Sequence, residues 1–133
     1  MNISNIEKVL SASRENGGEK LRIIQELVPG KQITLAHIIA NPDPVLYQKL
    51  GLDPKLDYSH TAIGVLTVSP AETAIIAADV SMKASGAELG FVDRFSGTLL
   101  ITGSISDVEA ALRAVTEYAR EKLGFNVCEV TRT

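Results

Sequence analysis

The sequence predicts an α/β sandwich in which two long helices pack on one mixed sheet of four or five strands. Two sequence patterns predict the helices: a Ser-x-x-Glu capping box at Ser69–Glu72 and another at Ser106–Glu109, each followed by apolar residues at helical spacing. Apolar segments bounded by Pro29-Gly30 and Ser96-Gly97 predict the sheet. The order β–β–short α–β–α–β–β–α–β makes the sandwich ferredoxin-like.

Residues Ile3 to Arg14 carry Ile3, Ile6, Val9 and Leu10 on one helical face, and Glu15-Asn16-Gly17-Gly18 breaks the pattern. Residues 1–20 thus read as an extension, either an unstructured end or a docking helix, ahead of a single domain over 21–133. Leu21 to Val28 is apolar and strand-compatible, and Pro29-Gly30 turns the chain. Lys31 to Ala40 is a better strand, with Ile33, Leu35, His37 and Ile39 sharing one face. Asn41 is placed to cap a short helix from Pro42 to Gly51, and Asp53 to His60 is a polar loop.

Ala62 to Val68 is apolar on both faces, which predicts a central, covered strand. The first long helix runs from the Ser69 capping box to about Ser85-Gly86 and is rich in small residues. Glu88 to Phe95 and Thr98 to Thr102 read as a hairpin around Ser96-Gly97. From the Ser106 capping box, Val108, Ala111, Leu112, Val115, Ala119 and Leu123 form one stripe that Gly124 closes. Phe125 to Thr131 is a last strand.

A chain of 133 residues buries a proper core without staples. Aromatic residues make up only 5%, so Ala, Val, Ile and Leu fill that core. The 13 basic and 16 acidic residues are evenly spread, which argues against nucleic acid or an anionic membrane as a partner. No apolar run approaches the roughly 20 residues needed to span a bilayer. The single cysteine, Cys128, excludes an intrachain disulfide and fits a reducing cytosol.

The polar residues do not assemble into a catalytic set, so no enzyme is expected. His37 has apolar neighbours on its face and reads as a hydrogen-bonded core or interface histidine; His60 reads as solvated. No His, Cys, Asp or Glu pair has metal-ligand spacing, and no phosphate-cradling glycine loop exists, so no metal or cofactor is expected. Asp79 reads as an acid paired with a neighbour, and Asp93–Arg94 as a local ion pair of little energy. What remains points to packing against like subunits around the Asp93–Gly97 turn.

The stretch Ala62-Ile63-Gly64-Val65-Leu66-Thr67-Val68-Ser69-Pro70, continued by Asp79-Val80-Ser81-Met82-Lys83 and Gly90-Phe91-Val92-Asp93-Arg94-Phe95-Ser96-Gly97, resembles the bacterial microcompartment shell domain. Ile24-Gln25-Glu26-Leu27-Val28-Pro29-Gly30-Lys31-Gln32-Ile33-Thr34-Leu35-Ala36-His37 is similar to its circularly permuted form, found in propanediol- and ethanolamine-utilisation compartments. The resemblance implies cyclic homohexamers that tile into the shell of a cytoplasmic organelle, with other shell proteins and encapsulated enzymes as partners. It implies that Arg94, Phe95, Ser96 and Gly97 form a pore loop and that Lys83 and Asn41 lie at the hexamer edge, Asn41 where family members often carry arginine. It further implies that Leu21, Ile23, Ile24, Leu27 and Val28 belong to a strand that builds an inter-subunit β-barrel over the pore. The stripe in residues 1–20 resembles the short helices that dock cargo enzymes on shells. The alternative is an oligomeric ferredoxin-like regulatory module that binds a small molecule between subunits.

Overall fold

The computed structural model describes residues 30–56 and 61–133. The Leu21–Val28 strand, the Ile3–Arg14 stripe and His60 lie outside the described residues. The elements are β1 (Gln32–Ile39), α1 (Val45–Lys49), β2 (Ala62–Ser69), α2 (Thr73–Ala84), β3 (Glu88–Asp93), β4 (Thr98–Gly103), α3 (Ile105–Lys122), β5 (Asn126–Val127) and β6 (Thr131–Arg132). The sheet order is β3-β4-β2-β1-β5, with β6 also on β1. Strands β1 to β4 pair antiparallel, while β5 and β6 run parallel to β1.

β2 is central, as its two apolar faces require. Its Ala62, Leu66 and Val68 join Leu99 and Ile101 of β4 under α2 and α3. Ile63, on the other face, packs with Leu100 and Leu52, and Tyr47 of α1 closes over this second core. Gly64 lets α3 approach, because a Cβ there would sit 2.7 Å from a Val108 methyl.

α3 keeps the predicted stripe: Val108, Ala111, Leu112, Val115 and Ala119 are all buried. Complete burial of Val108 and Leu112 contributes about 1.5–3 kcal/mol each. Its start differs from expectation. The cap is Ser104, whose side chain accepts from the Asp107 backbone N–H at 3.1 Å, not Ser106. Ser106 is the second residue of the helix, two positions past the cap, where its backbone is already helical.

α2 also starts later than predicted. Ser69 is the last residue of β2, and the peptide bond to Pro70 is cis. The helix begins at Thr73 behind Glu72, which makes no side-chain cap. The amides of Thr73, Ala74 and Ile75 instead bond to the carbonyls of Pro70, Ala71 and Glu72, a tight first turn that replaces a capping box. α1 is shorter than the expected 42–51 helix. Its first amide, on Val45, donates to Asp43 Oδ1 at 3.0 Å, and Asn41 is an exposed residue before it that caps nothing.

β1 departs from strict alternation. Its register slips between Ile33 and Leu35, where Thr34 bulges and its hydroxyl meets that of Thr67 at 2.6 Å. Ile33 therefore joins Ala36 and Ile38 on the helix side, and Leu35 is left 40% exposed. The expected Ile33–Leu35–His37–Ile39 face does not exist as a unit. The final strand is two short pieces on β1 instead of one run over 125–131. Asn126 donates to the Lys31 carbonyl, and Ala40 donates to the Thr133 carbonyl.

Candidate functional site: the hairpin loop and the far end of the sheet

The loop Arg94–Gly97 joins β3 to β4, and β3 stops at Asp93, two residues before the predicted strand end. Asp93 organises the turn. Its Oδ1 accepts from the backbone N–H of Phe95 at 2.9 Å and of Ser96 at 3.3 Å, and its carbonyl accepts from Gly97 N at 2.9 Å. The Phe95 amide, followed by the Ser96 contacts, holds the Asp93 carboxyl below the usual carboxylate range. Ser96 Oγ donates to Thr98 Oγ1 at 3.0 Å, closing the loop from the other side.

Gly97 pins the loop to the sheet. It has φ +78°, and a Cβ would lie 2.2 Å from the Val68 carbonyl oxygen. Its own carbonyl accepts from Val68 N at 2.9 Å. The rigid base leaves the tip outward: Phe95 is 82% exposed, and the Arg94 guanidinium sits 5.0 Å above its ring. The expected Asp93–Arg94 ion pair is not formed, because the carboxylate is turned inward to the backbone amides and the guanidinium lies on the ring.

Lys83 is in the last turn of α2, where its Nζ meets Asp79 Oδ2 at 2.8 Å. The Asp79 hydrogen bond and charge push the Lys83 ammonium group up from its ordinary value. Asp79 thus has the neighbouring partner expected of it, at the exposed surface. His37 is hydrogen-bonded, as its strand position suggested. Nδ1 and Nε2 lie 2.6 and 2.8 Å from the hydroxyls of Thr131 and Thr133. Both partners are some ninety-five residues away in sequence, and no local signal points to them. Cys128 is half-buried, and burial pushes its thiol up.

Strand registers place these groups relative to one another. Thr98 of β4 pairs with Thr67 near the end of β2, whose last residue, Ser69, pairs with Gln32 at the start of β1. The loop 94–97 and the start of β1 therefore share one end of the sheet. At the other end, Gly103 pairs with Ala62, and Ile63 pairs with Ile39, two residues before Asn41. α2 begins just after Ser69 and runs about 18 Å toward that second end, where Lys83 sits. The structure thus brings Arg94, Phe95, Ser96 and Gly97 together and sets Lys83 and Asn41 apart from them.

The BMC domain model matches residues 62–131, starting at β2, so β1 precedes the match as in a permuted chain. The shell protein PduU of Salmonella typhimurium is 50% identical over 112 residues, 84% of this chain and 93% of that protein. The shell protein CutR of Streptococcus intermedius is 47% identical over 119 residues, covering 90% and 98%. The solved flat hexamer of CutR superposes with a TM-score of 0.72 at 47% identity, over 84% of this chain and 99% of that one. A domain-swapped CutR dimer also matches, with a TM-score of 0.55 at 44% identity over 78% and 100%. The central strand, the two-helix layer and these relatives agree, and the chain belongs to the BMC domain family of bacterial microcompartment shell proteins.

Proposed function

We propose that this protein is a non-catalytic shell tile, a homohexamer with the Arg94–Gly97 loop around its axis and Lys83 and Asn41 at its outer edge. The observation that carries the reading is the separation of these two groups to opposite ends of the sheet. A ring places one end of each subunit at the axis and the other at the rim. The flat CutR hexamer supports this assembly.

The start of β1 lies at the loop's end of the sheet, so residues 21–28 join the domain beside the proposed axis. This supports a role for Leu21, Ile23, Ile24, Leu27 and Val28 in a strand that pairs with its copies above the loops. Backbone groups of such a strand need partners, and ring symmetry supplies them. Residues 1–20 form the extension and 21–133 the shell domain. Other shell proteins at the rim, and encapsulated enzymes on one face, are the partners of such a tile. The relatives, all named as shell proteins, do not favour the regulatory alternative.

Light scattering on a sizing column tests the assembly, with about six chains expected; a monomer at micromolar concentration sinks the proposal. A Phe95→Cys variant tests the axis. Six thiols around one axis give interchain cross-links with a short bismaleimide, and exclusively monomeric bands place the loop elsewhere.

A further inference from the structure

An apolar recess lies on the helix side of the domain between α2 and α3. Ile33 and Val68 line it from the sheet, Ile76 and Val80 from α2, and Tyr118 and Leu123 from α3; it is shallow and opens to solvent. Ile76 is 43% and Tyr118 40% exposed at its rim. Next to them Ile75 is also exposed, so α2 is apolar beyond the face that meets the sheet. A helix that is apolar on more than its core face needs a second cover.

The chain itself carries a matching cover. Ile3, Ile6, Val9 and Leu10 have the i, i+3, i+6, i+7 spacing of one helical face, with Lys8 opposite that face and Glu7 and Arg14 along its edge. Ile33, second residue of β1, lines the recess, so the chain leading to the stripe joins the domain at the recess. Twenty-two residues separate Leu10 from Ile33, including Gly17-Gly18; a stretch of that length spans up to about 70 Å. The stripe therefore reaches the α2–α3 recess of its own subunit even with residues 21–28 extended along an axis.

We propose that the Ile3–Leu10 stripe docks in the α2–α3 recess of its own subunit, covering Ile76 and Tyr118. This surface is distinct from the hairpin loop and from Lys83, and the proposal stands whether or not the loop lines a pore.

Disulfide trapping in the full-length assembled protein tests it. Ile6→Cys is combined with Ile76→Cys in a Cys128→Ser background. The comparison pair uses Leu35→Cys, exposed on the opposite face of the sheet. The expected result is rapid oxidation of the 6–76 pair, with little of the 6–35 pair. In assemblies mixed from ¹⁴N- and ¹⁵N-labelled chains, the linked peptides should carry one label only. Linked peptides of mixed label would assign the recess to the segment of a second copy and overturn the proposal. Equal trapping at 35 and 76, or none at 76, would also overturn it. A second measurement avoids new thiols: Ile6→Asp/Leu10→Asp should speed amide exchange in the Thr73–Val80 half of α2 by about tenfold. Unchanged exchange there, with the assembly intact, also counts against docking.

Discussion

Replacing Gly97 by alanine probes how the hairpin loop is fastened to the sheet. Two costs arise. A non-glycine residue held at φ +78° is strained by about 1–2 kcal/mol. The new Cβ would also sit 2.2 Å from the Val68 carbonyl and 3.1 Å from Ala71 Cα, both backbone atoms that cannot swing aside. Relief requires β4 to move off β2 and stretches the Val68–Gly97 hydrogen bond, worth about 1 kcal/mol. The total is about 3 kcal/mol. Gly51→Ala supplies the control: its φ is +71°, but nothing lies within 4 Å of a Cβ, so it carries the strain alone. Thermal melts at one fixed protein concentration should show Gly97→Ala lowered by about 10 °C and Gly51→Ala by about 4 °C. Fixed concentration matters because assembly adds to apparent stability. Equal shifts for the two variants would refute the argument that backbone contact, beyond dihedral strain, fixes this position.

Ser104→Ala should cost about 1 kcal/mol in denaturant unfolding through loss of the α3 cap, while Ser106→Ala stays within about 0.5 kcal/mol. His37→Ala removes two side-chain hydrogen bonds, so amides of residues 131–133 should exchange faster, and stability should fall by about 1–2 kcal/mol. The Asp93 carboxyl is held low in the folded state, so its contribution is present above the unfolded value near 4 and is lost as pH falls through the folded value. Unfolding followed from pH 5 to pH 2 should therefore be steeper for the parent protein than for Asp93→Asn. Lys83→Ala should leave the ring mass unchanged and reduce extended two-dimensional arrays in electron micrographs; undiminished arrays would remove Lys83 from the edge.

Helix α3 and strand β2 were legible in the residue pattern because local periodicity and burial coincide there. Val108 to Ala119 repeat at helical spacing, and Ala62 to Val68 is apolar on both sides because both sides are covered. The helix starts were less legible. Ser69-Pro-Ala-Glu satisfies a capping pattern, yet Ser69 is held in the β2 ladder opposite Gln32, and sheet pairing overrides the local preference. The bulge at Thr34 depends on Thr67 across the strand gap, and the His37 bonds depend on residues at the far end of the sequence. Neither leaves a trace in a short window. For the loop, the Gly97 turn was readable, but the Asp93 side chain turns to amides that spacing alone does not reveal. The roles proposed for Arg94 to Gly97, Lys83 and Asn41 rest on likeness to a family; the strand registers set only their positions, at opposite ends of the sheet.

The parallel pairing of β5 and β6 on β1 has a consequence for the timing of synthesis. β1 is made early, and β2 covers one of its edges soon after. The other edge waits for Asn126 to Thr133, almost ninety residues later than Ile39. At about 5–20 residues per second that interval is several seconds on the ribosome. During it, that edge of β1 lacks the partners that residues 126–133 supply, and a neighbouring nascent chain could fill it in their place. Closure by its own chain before release therefore decides whether a subunit is self-contained or is exchanged with its neighbour.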